Sequence, residues 1–171
     1  DIQTLGPIEH LPAALLKPYA KNARKHDERQ IALIMESITQ FGFTNPIIAA
    51  EDGTIIAGHG RWLAAKKLRI QSVPVLRAKH LTPDNVRAYR LADNRLAELS
   101  DWDEDLLALE LGYLDNIDLG FSIETLGWDH AEIDVMINPP DDESDGATDP
   151  ADQDIPAPPS HPVSRTRDLW L

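Results

Sequence analysis

Apolar and polar residues alternate with a period that changes along the chain. In "HDERQIALIMESITQFG", Ile31, Ile34, Ile38 and Phe41 recur at helical spacing. Asp27 and Gln30 suit a capping box at its start, and Gly42 suits the stop. "NPIIAAEDGTIIAG" then shows two short β-branched runs flanking Glu51-Asp52-Gly53, a strong hairpin signal. The spacing predicts a helix from about Gly60 to Arg69, then a strand in "SVPVLRA". Pro74 there implies that its missing N–H is not needed by the ladder. Thr82-Pro83 reads as an N-cap with proline at the first helical position. Val86, Tyr89, Leu91 and Leu96 lie along the helix it opens. A further helix opens in "DWDEDLLALELGYL", with Asp101 and Glu104 as its capping box, and one or two short helices follow Gly120.

After Ile137 the pattern is lost. Residues 141–154 hold seven acids and no base, and residues 139–162 hold seven of the 13 prolines. Such a stretch buries too little apolar surface to offset its ordering entropy, so it reads as a disordered linker or tail. "SRTRDLWL" resembles the opening strand of a domain beyond Leu171.

Composition narrows the options. No run of about 18 apolar residues exists and no signal peptide is visible, so no membrane association is expected. There is no cysteine, which excludes disulfides, thiolate metal sites and a thiol nucleophile and suits a cytoplasmic protein. The net charge of −13 hides an asymmetry. Residues 1–100 carry 14 Lys and Arg against 10 acids, whereas residues 101–171 carry 2 against 19. A front part at +4 leaves nucleic acid or nucleotide open as a partner despite the acidic whole.

The chemistry concentrates at one hinge, Gly58-His59-Gly60-Arg61, between a strand and a helix. A helix start presents free N–H groups and about half a positive charge. Glycines allow a phosphate close to the backbone, and arginine grips it in a fork. An anion site and a plain structural turn both fit the pattern. The hinge is not a G-x-x-x-x-G-K-[ST] loop, and it lacks the third glycine of a dinucleotide fingerprint. Lys66 and Lys67 read as solvated helix surface. Asp93-Asn94 reads by itself as a polar helix face, and Arg24-Lys25-His26 as an exposed basic turn. No pair of the six histidines has zinc-ligand spacing. Trp62, Trp102 and Trp128 read as packing residues rather than base-stacking platforms. Asn138-Pro139-Pro140-Asp141 lacks the aromatic that follows Pro-Pro in amino-methyltransferases, so it reads as a domain end.

"NARKH", "ESITQFGFTNPIIA", "GTIIAGHGRWLAAKKL", "SVPVL" and "LADNRLAEL" occur in this order. Together they resemble the ParB/sulfiredoxin-like domain, most of all the ParB-like module of phage-type and bacterial DNA methyltransferases. The resemblance spans about residues 5–137. It implies an α+β fold, a small mixed sheet with packed helices, over residues 1–97. A helical extension over 98–138 and an acidic, proline-rich linker over 139–171 are expected to follow. It also implies a nucleotide site. In ParB the hinge reads G-E-R-R and holds the triphosphate of CTP; Gly58, His59, Gly60 and Arg61 fall on those positions. Arg24 matches an arginine that reaches the phosphates from the other side. Asp93 and Asn94 match a Glu-Asn pair that places Mg2+ and supports hydrolysis, Asp93 as the catalytic acid and Asn94 as the metal ligand.

The departures are equally specific. His59 stands for the hinge glutamate and Gly60 for the first hinge arginine. Sulfiredoxin activity is excluded, because it needs a cysteine at this hinge. ParB-like free-serine kinases carry G-H-H-R there, with a catalytic acid that aligns with Glu28. ParB's helix-turn-helix should follow Asp93-Asn94, but the helices here are acidic, with Asp101, Asp103, Glu104, Asp105 and Glu110 close together, and are not expected to read DNA. The resulting expectation is a nucleotide-binding, DNA-associated regulatory module from a DNA methyltransferase. Its ligand would be CTP, ATP or ADP with Mg2+. DNA contact is expected mainly through a missing domain, and a homodimer is a further expectation. The rivals are an enzyme in its own right (an NTPase, a nuclease or a small-molecule kinase) and a ligand-free interaction scaffold.

Overall fold

The computed structural model describes residues 5–140. The chain divides at Asn138/Pro139, and Asp1–Asn138 is one compact unit. Expectations for residues 141–171, including the disordered linker, lie outside the described residues.

Four short strands form one mixed sheet in the order β1-β4-β2-β3. They are β1 (Glu9–Pro12), β2 (Ile47–Ala49), β3 (Ile55–Ala57) and β4 (Ser72–Arg77). The hairpin at Asp52-Gly53 forms, with Gly53 at φ 84°, and pairs β2 with β3 antiparallel. β4 lies parallel to β2 and antiparallel to β1. β2 begins opposite Val75, so Pro74 has only β1 beside it, and its missing donor costs that flank nothing. β1 gives no signal in the sequence: "EHLP" is four residues long and ends in proline, and only its pairing with β4 makes it a strand.

The described residues form five α-helices: α1 (Glu28–Phe41), α2 (His59–Lys67), α3 (Pro83–Ala97), α4 (Glu104–Asp115) and α5 (His130–Ile137); α2 and α3 pack on the sheet, α1 packs on α2, and α4 packs on α5. One sheet face meets α2 through Ile47, Ile55, Val73, Val75 and Trp62. Ala64 and Ala65 are fully buried, and their small side chains let α2 approach closely. Each aliphatic side chain buried here contributes about 1.5–3 kcal/mol. Trp62 Nε1 donates to the Ala13 carbonyl at 3.0 Å, which satisfies the one polar atom it takes into the core. On the other face Ile56, Ala78 and Val86 join, with Tyr89 against them, and this seats α3 beside β3.

Several local expectations shift. Asp27 caps α1 by accepting from the Gln30 N–H at 2.7 Å, but the Gln30 side chain turns to His26 instead of closing a box. The cap of α4 is Asp103 rather than Asp101. The full capping box belongs to Asp129 and Glu132 at α5. Leu91 and Leu96 point away from the core, 63% and 67% exposed, because Val86 and Tyr89 already define the buried stripe of α3. Trp102 is 68% exposed and meets Trp128 edge-on at 5.5 Å, so it packs on a partner but in no core. No helix among the described residues is long and apolar enough to cross a membrane.

Candidate functional site

The hinge stands where the sheet hands the chain to α2. Gly58 caps that helix in the left-handed region, at φ 95°, which favours glycine. A Cβ there would sit 3.1 Å from Arg61 Nη2 and 3.2 Å from Arg61 Nε. Glycine thus lets the Arg61 side chain fold back over the hinge. Gly60 is constrained by space: a Cβ would come within 2.8 Å of Ile34 and 3.2 Å of the His26 ring. The first helical bond runs from the Trp62 N–H to the Gly58 carbonyl at 3.0 Å. The amides of His59, Gly60 and Arg61 therefore lie outside the helical ladder, where the dipole is positive.

These residues border a cavity of about 460 Å3. Arg24, Asp93 and Asn94 line it as well, brought in by the loop before α1 and by α3. Ile34, Ile38 and Phe43 supply an apolar wall. Seven of the eight residues singled out in the sequence thus meet in one cavity. Glu28 does not. It opens α1 on the surface and pairs with Lys67, and it is not among the lining residues. Lys66 lies over the Trp62 ring at 4.5 Å, so both lysines serve the helix surface as expected.

Charge in the cavity is set by burial. Burial pulls the Arg61 pKa down, and Asp93 opposes that shift. Its Nε is buried with no partner among the described residues, a deficit that an anion would relieve. Arg24 Nη1 donates to Asn94 Oδ1 at 3.0 Å, and Asn94 Nδ2 donates to the Arg90 carbonyl at 2.7 Å. Tyr89 Oη donates to Asp93 Oδ1 at 3.3 Å. Burial and then the Asp93 charge push the Tyr89 phenol pKa up.

His59 is the most perturbed group. Its pKa falls to about 4, first through burial, then through Arg90 and His26. Nε2 accepts from the Tyr19 backbone N–H at 3.2 Å, which places the ring proton of the neutral form on Nδ1. His59 thus stands at the helix start as a neutral group. His26 Nδ1 donates to Gln30 Oε1 at 2.8 Å.

Tyr19 and Arg90 escaped the sequence reading, and Gln30 was read only as part of a helix cap. Arg90 carried a faint signal, a cation three residues before Asp93 on the same helix face. Tyr19 carried none, since its role is a backbone donor to a residue forty positions away. Asn94 Oδ1 already accepts from the Arg24 guanidinium, whose positive charge disfavours a cation at that oxygen in this arrangement. No cluster of three or more His, Cys, Asp or Glu among the described residues could hold a metal ion. Among the described residues, Asp93 is the one carboxylate lining the cavity. It could help hold a Mg2+ that arrives on phosphates, since Mg2+ needs few protein ligands when phosphates supply the rest.

Comparison with known proteins identifies the fold and the family. Residues 3–95 match the ParB N-terminal domain, and residues 105–166 match the ParB-methyltransferase HTH domain. The ParB-like nuclease domain-containing protein YnaK of Escherichia coli K12 is 51% identical over 77 residues, 45% of this chain and 88% of that protein. The C-terminally truncated chromosome-partitioning protein ParB from Caulobacter crescentus, complexed with CTP-gamma-S, shares the fold. It has a TM-score of 0.63 and 20% identity, with 77% of each chain covered. Sulfiredoxin from Arabidopsis thaliana aligns over 49% of this chain and 97% of its own, at 26% identity and a TM-score of 0.42. With a mixed sheet carrying the hinge and a family match over more than half its length, the chain belongs to the ParB N-terminal domain family.

Proposed function

We propose that the hinge cavity binds the phosphates of a nucleotide, and that the bound state regulates a DNA-associated complex. One observation carries this reading. Free amides, Arg61 with an Nε unpartnered among the described residues, and Arg24 all border one cavity of about 460 Å3, within the usual range for small-ligand sites. The likeness to a ParB complexed with CTP-gamma-S supports the ligand class. Asp93 would help hold Mg2+, whose chemistry is to neutralise phosphate charge. Arg24 would have to release Asn94 before that amide could join the metal.

DNA contact runs through another domain or chain in this reading. Residues 101–140 fall mostly within the matched HTH domain, yet they hold eleven carboxylates and no lysine or arginine. A DNA backbone repels such a surface. Catalysis of methyl transfer would belong beyond Leu171. Titration calorimetry with CTP, ATP and ADP plus Mg2+ tests the site. Binding by at least one nucleotide is expected, weakened strongly in Arg61→Ala and Arg24→Ala. No heat from any of them at millimolar concentration, in parent and variants alike, would sink the reading. Phosphate release measured alongside separates a regulatory module from an NTPase.

A further inference from the structure

The segment after Leu16 and one face of α3 enclose a second concavity of about 310 Å3. Its walls are Tyr19, Lys21, Asn22, Arg87, Arg90 and Asn94, with Ala23 and Leu91 at the margin. Asn22 and Asn94 also line the hinge cavity, so the two hollows share a wall of amides. Among the described residues, three of the walls are cations and none is a carboxylate.

Arg90 sets the problem. It is only 8% exposed. A buried guanidinium without a carboxylate is costly unless its field finds an anion. The protein supplies neutral partners. Nη2 donates to the Ile55 carbonyl at 3.0 Å, and the guanidinium lies 3.7 Å from the centre of the Tyr19 ring. Its Nε has no hydrogen-bond partner, and no carboxylate lies within ion-pair distance of it, among the described residues. Burial pulls the Arg90 pKa down, against weaker support from the Tyr19 phenol and Asp52. The neighbours worsen the imbalance. Arg87 reaches only Asp84, at 3.9 Å along the exposed helix surface. Lys21 is in no ion pair among the described residues. Three positive charges around one hollow draw anions to it, and two arginines with two amides suit the several oxygens of a phosphate.

We infer that the hollow formed by Lys21, Arg87 and Arg90 is a second anion site, separate from the hinge, that takes a phosphate group. That phosphate can belong to a free phosphorylated small molecule or to one link of a nucleic-acid strand crossing the mouth. Both present the same dianionic or diester oxygens to the three cations.

The test uses the full chain, with inorganic phosphate and a short single-stranded oligothymidylate as probes. Calorimetry is run on the parent, on the double variant Lys21→Gln/Arg87→Gln, and on Arg61→Ala. Lys21 and Arg87 are exposed, so their loss should not disturb folding. Circular dichroism checks this. Expected is binding of one or both probes by the parent, about tenfold weaker or more in the double variant, which is about 1.4 kcal/mol. Arg61→Ala, which alters only the hinge, should keep the binding step that the double variant loses and lose only phosphate held at the hinge. Binding of inorganic phosphate identifies a small phosphorylated ligand. Binding of the oligonucleotide alone identifies a strand, and removing two cations should then reduce the salt slope by about 1.4. The inference falls if the parent binds neither probe at millimolar concentration. It also falls if the double variant binds like the parent, or if Arg61→Ala alone abolishes binding.

Discussion

His59 shows how one residue's chemistry is set by its neighbours. Free histidine is half charged near pH 6.5; here burial, Arg90 and His26 bring the pKa to about 4. The folded state therefore binds fewer protons than the unfolded state between those values. Stability from this residue is fully present above about pH 6.5 and is lost as pH falls toward 4. The effect is on the order of 3 kcal/mol, since one pKa unit is about 1.4 kcal/mol. Urea denaturation from pH 4 to pH 7 should show the parent gaining stability across this window. His59→Gln, which keeps an acceptor for the Tyr19 N–H, should show a flatter profile. Equal slopes would mean that another group carries the pH dependence. The glycines and Arg61 were legible before folding, because a strand-to-helix turn is a local event. The neutral state of His59 was not, because Tyr19 and His26, before α1, and Arg90, on α3, reach it from two distant parts of the chain.

At the scale of elements, caps and periods were readable wherever the deciding interaction lies within one helix turn. Thr82 caps α3 through the Asn85 N–H at 3.3 Å, and Gly42 ends α1 at φ 77°, both as the sequence implied. Which face an element buries was less legible. α4 is apolar on two sides: Leu111 is 1% exposed against α5, whereas Leu106, Leu109 and Tyr113 are 60%, 70% and 64% exposed. Its leucines look alike in sequence. Leu111→Ala should cost about 2–5 kcal/mol in chemical denaturation, as expected for a buried leucine. Leu106→Gln and Leu109→Gln should each change stability by no more than about 0.5 kcal/mol. A loss of several kcal/mol from either Gln variant would show that this face is covered in solution.

For the whole molecule the uneven charge matters most. The first 100 residues carry a balance of +4, and the remainder a balance of −17. Deleting residues 141–171 removes eight acids and two bases, a change of +6. At low salt, where the Debye length is ~30 Å at 0.01 M, the shortened chain should bind DNA nonspecifically more tightly than the full chain. The gain should shrink toward physiological salt as screening grows. Gel-shift titrations of both chains along a salt gradient measure this. Equal and negligible binding at low salt would mean that this chain does not touch DNA itself.

The sequence by itself determined the hairpin, the hinge and most helix limits, because each rests on spacing or turn chemistry within a few residues, whereas the α+β class came through likeness to a family. It also marked Arg24 and Asp93-Asn94, but only through likeness to a family, since by themselves they are polar residues on a loop and a helix. Tertiary structure decided the rest. It made "EHLP" a strand by giving it β4 as a partner. It brought Arg24 against Asn94 across seventy positions. It left Glu28 on the surface with Lys67, away from the cavity. It buried Arg90 beside a carbonyl and an aromatic ring instead of a carboxylate. The common reason is that burial and long-range pairing depend on which surfaces meet, and that is settled only when the sheet and its helices pack together.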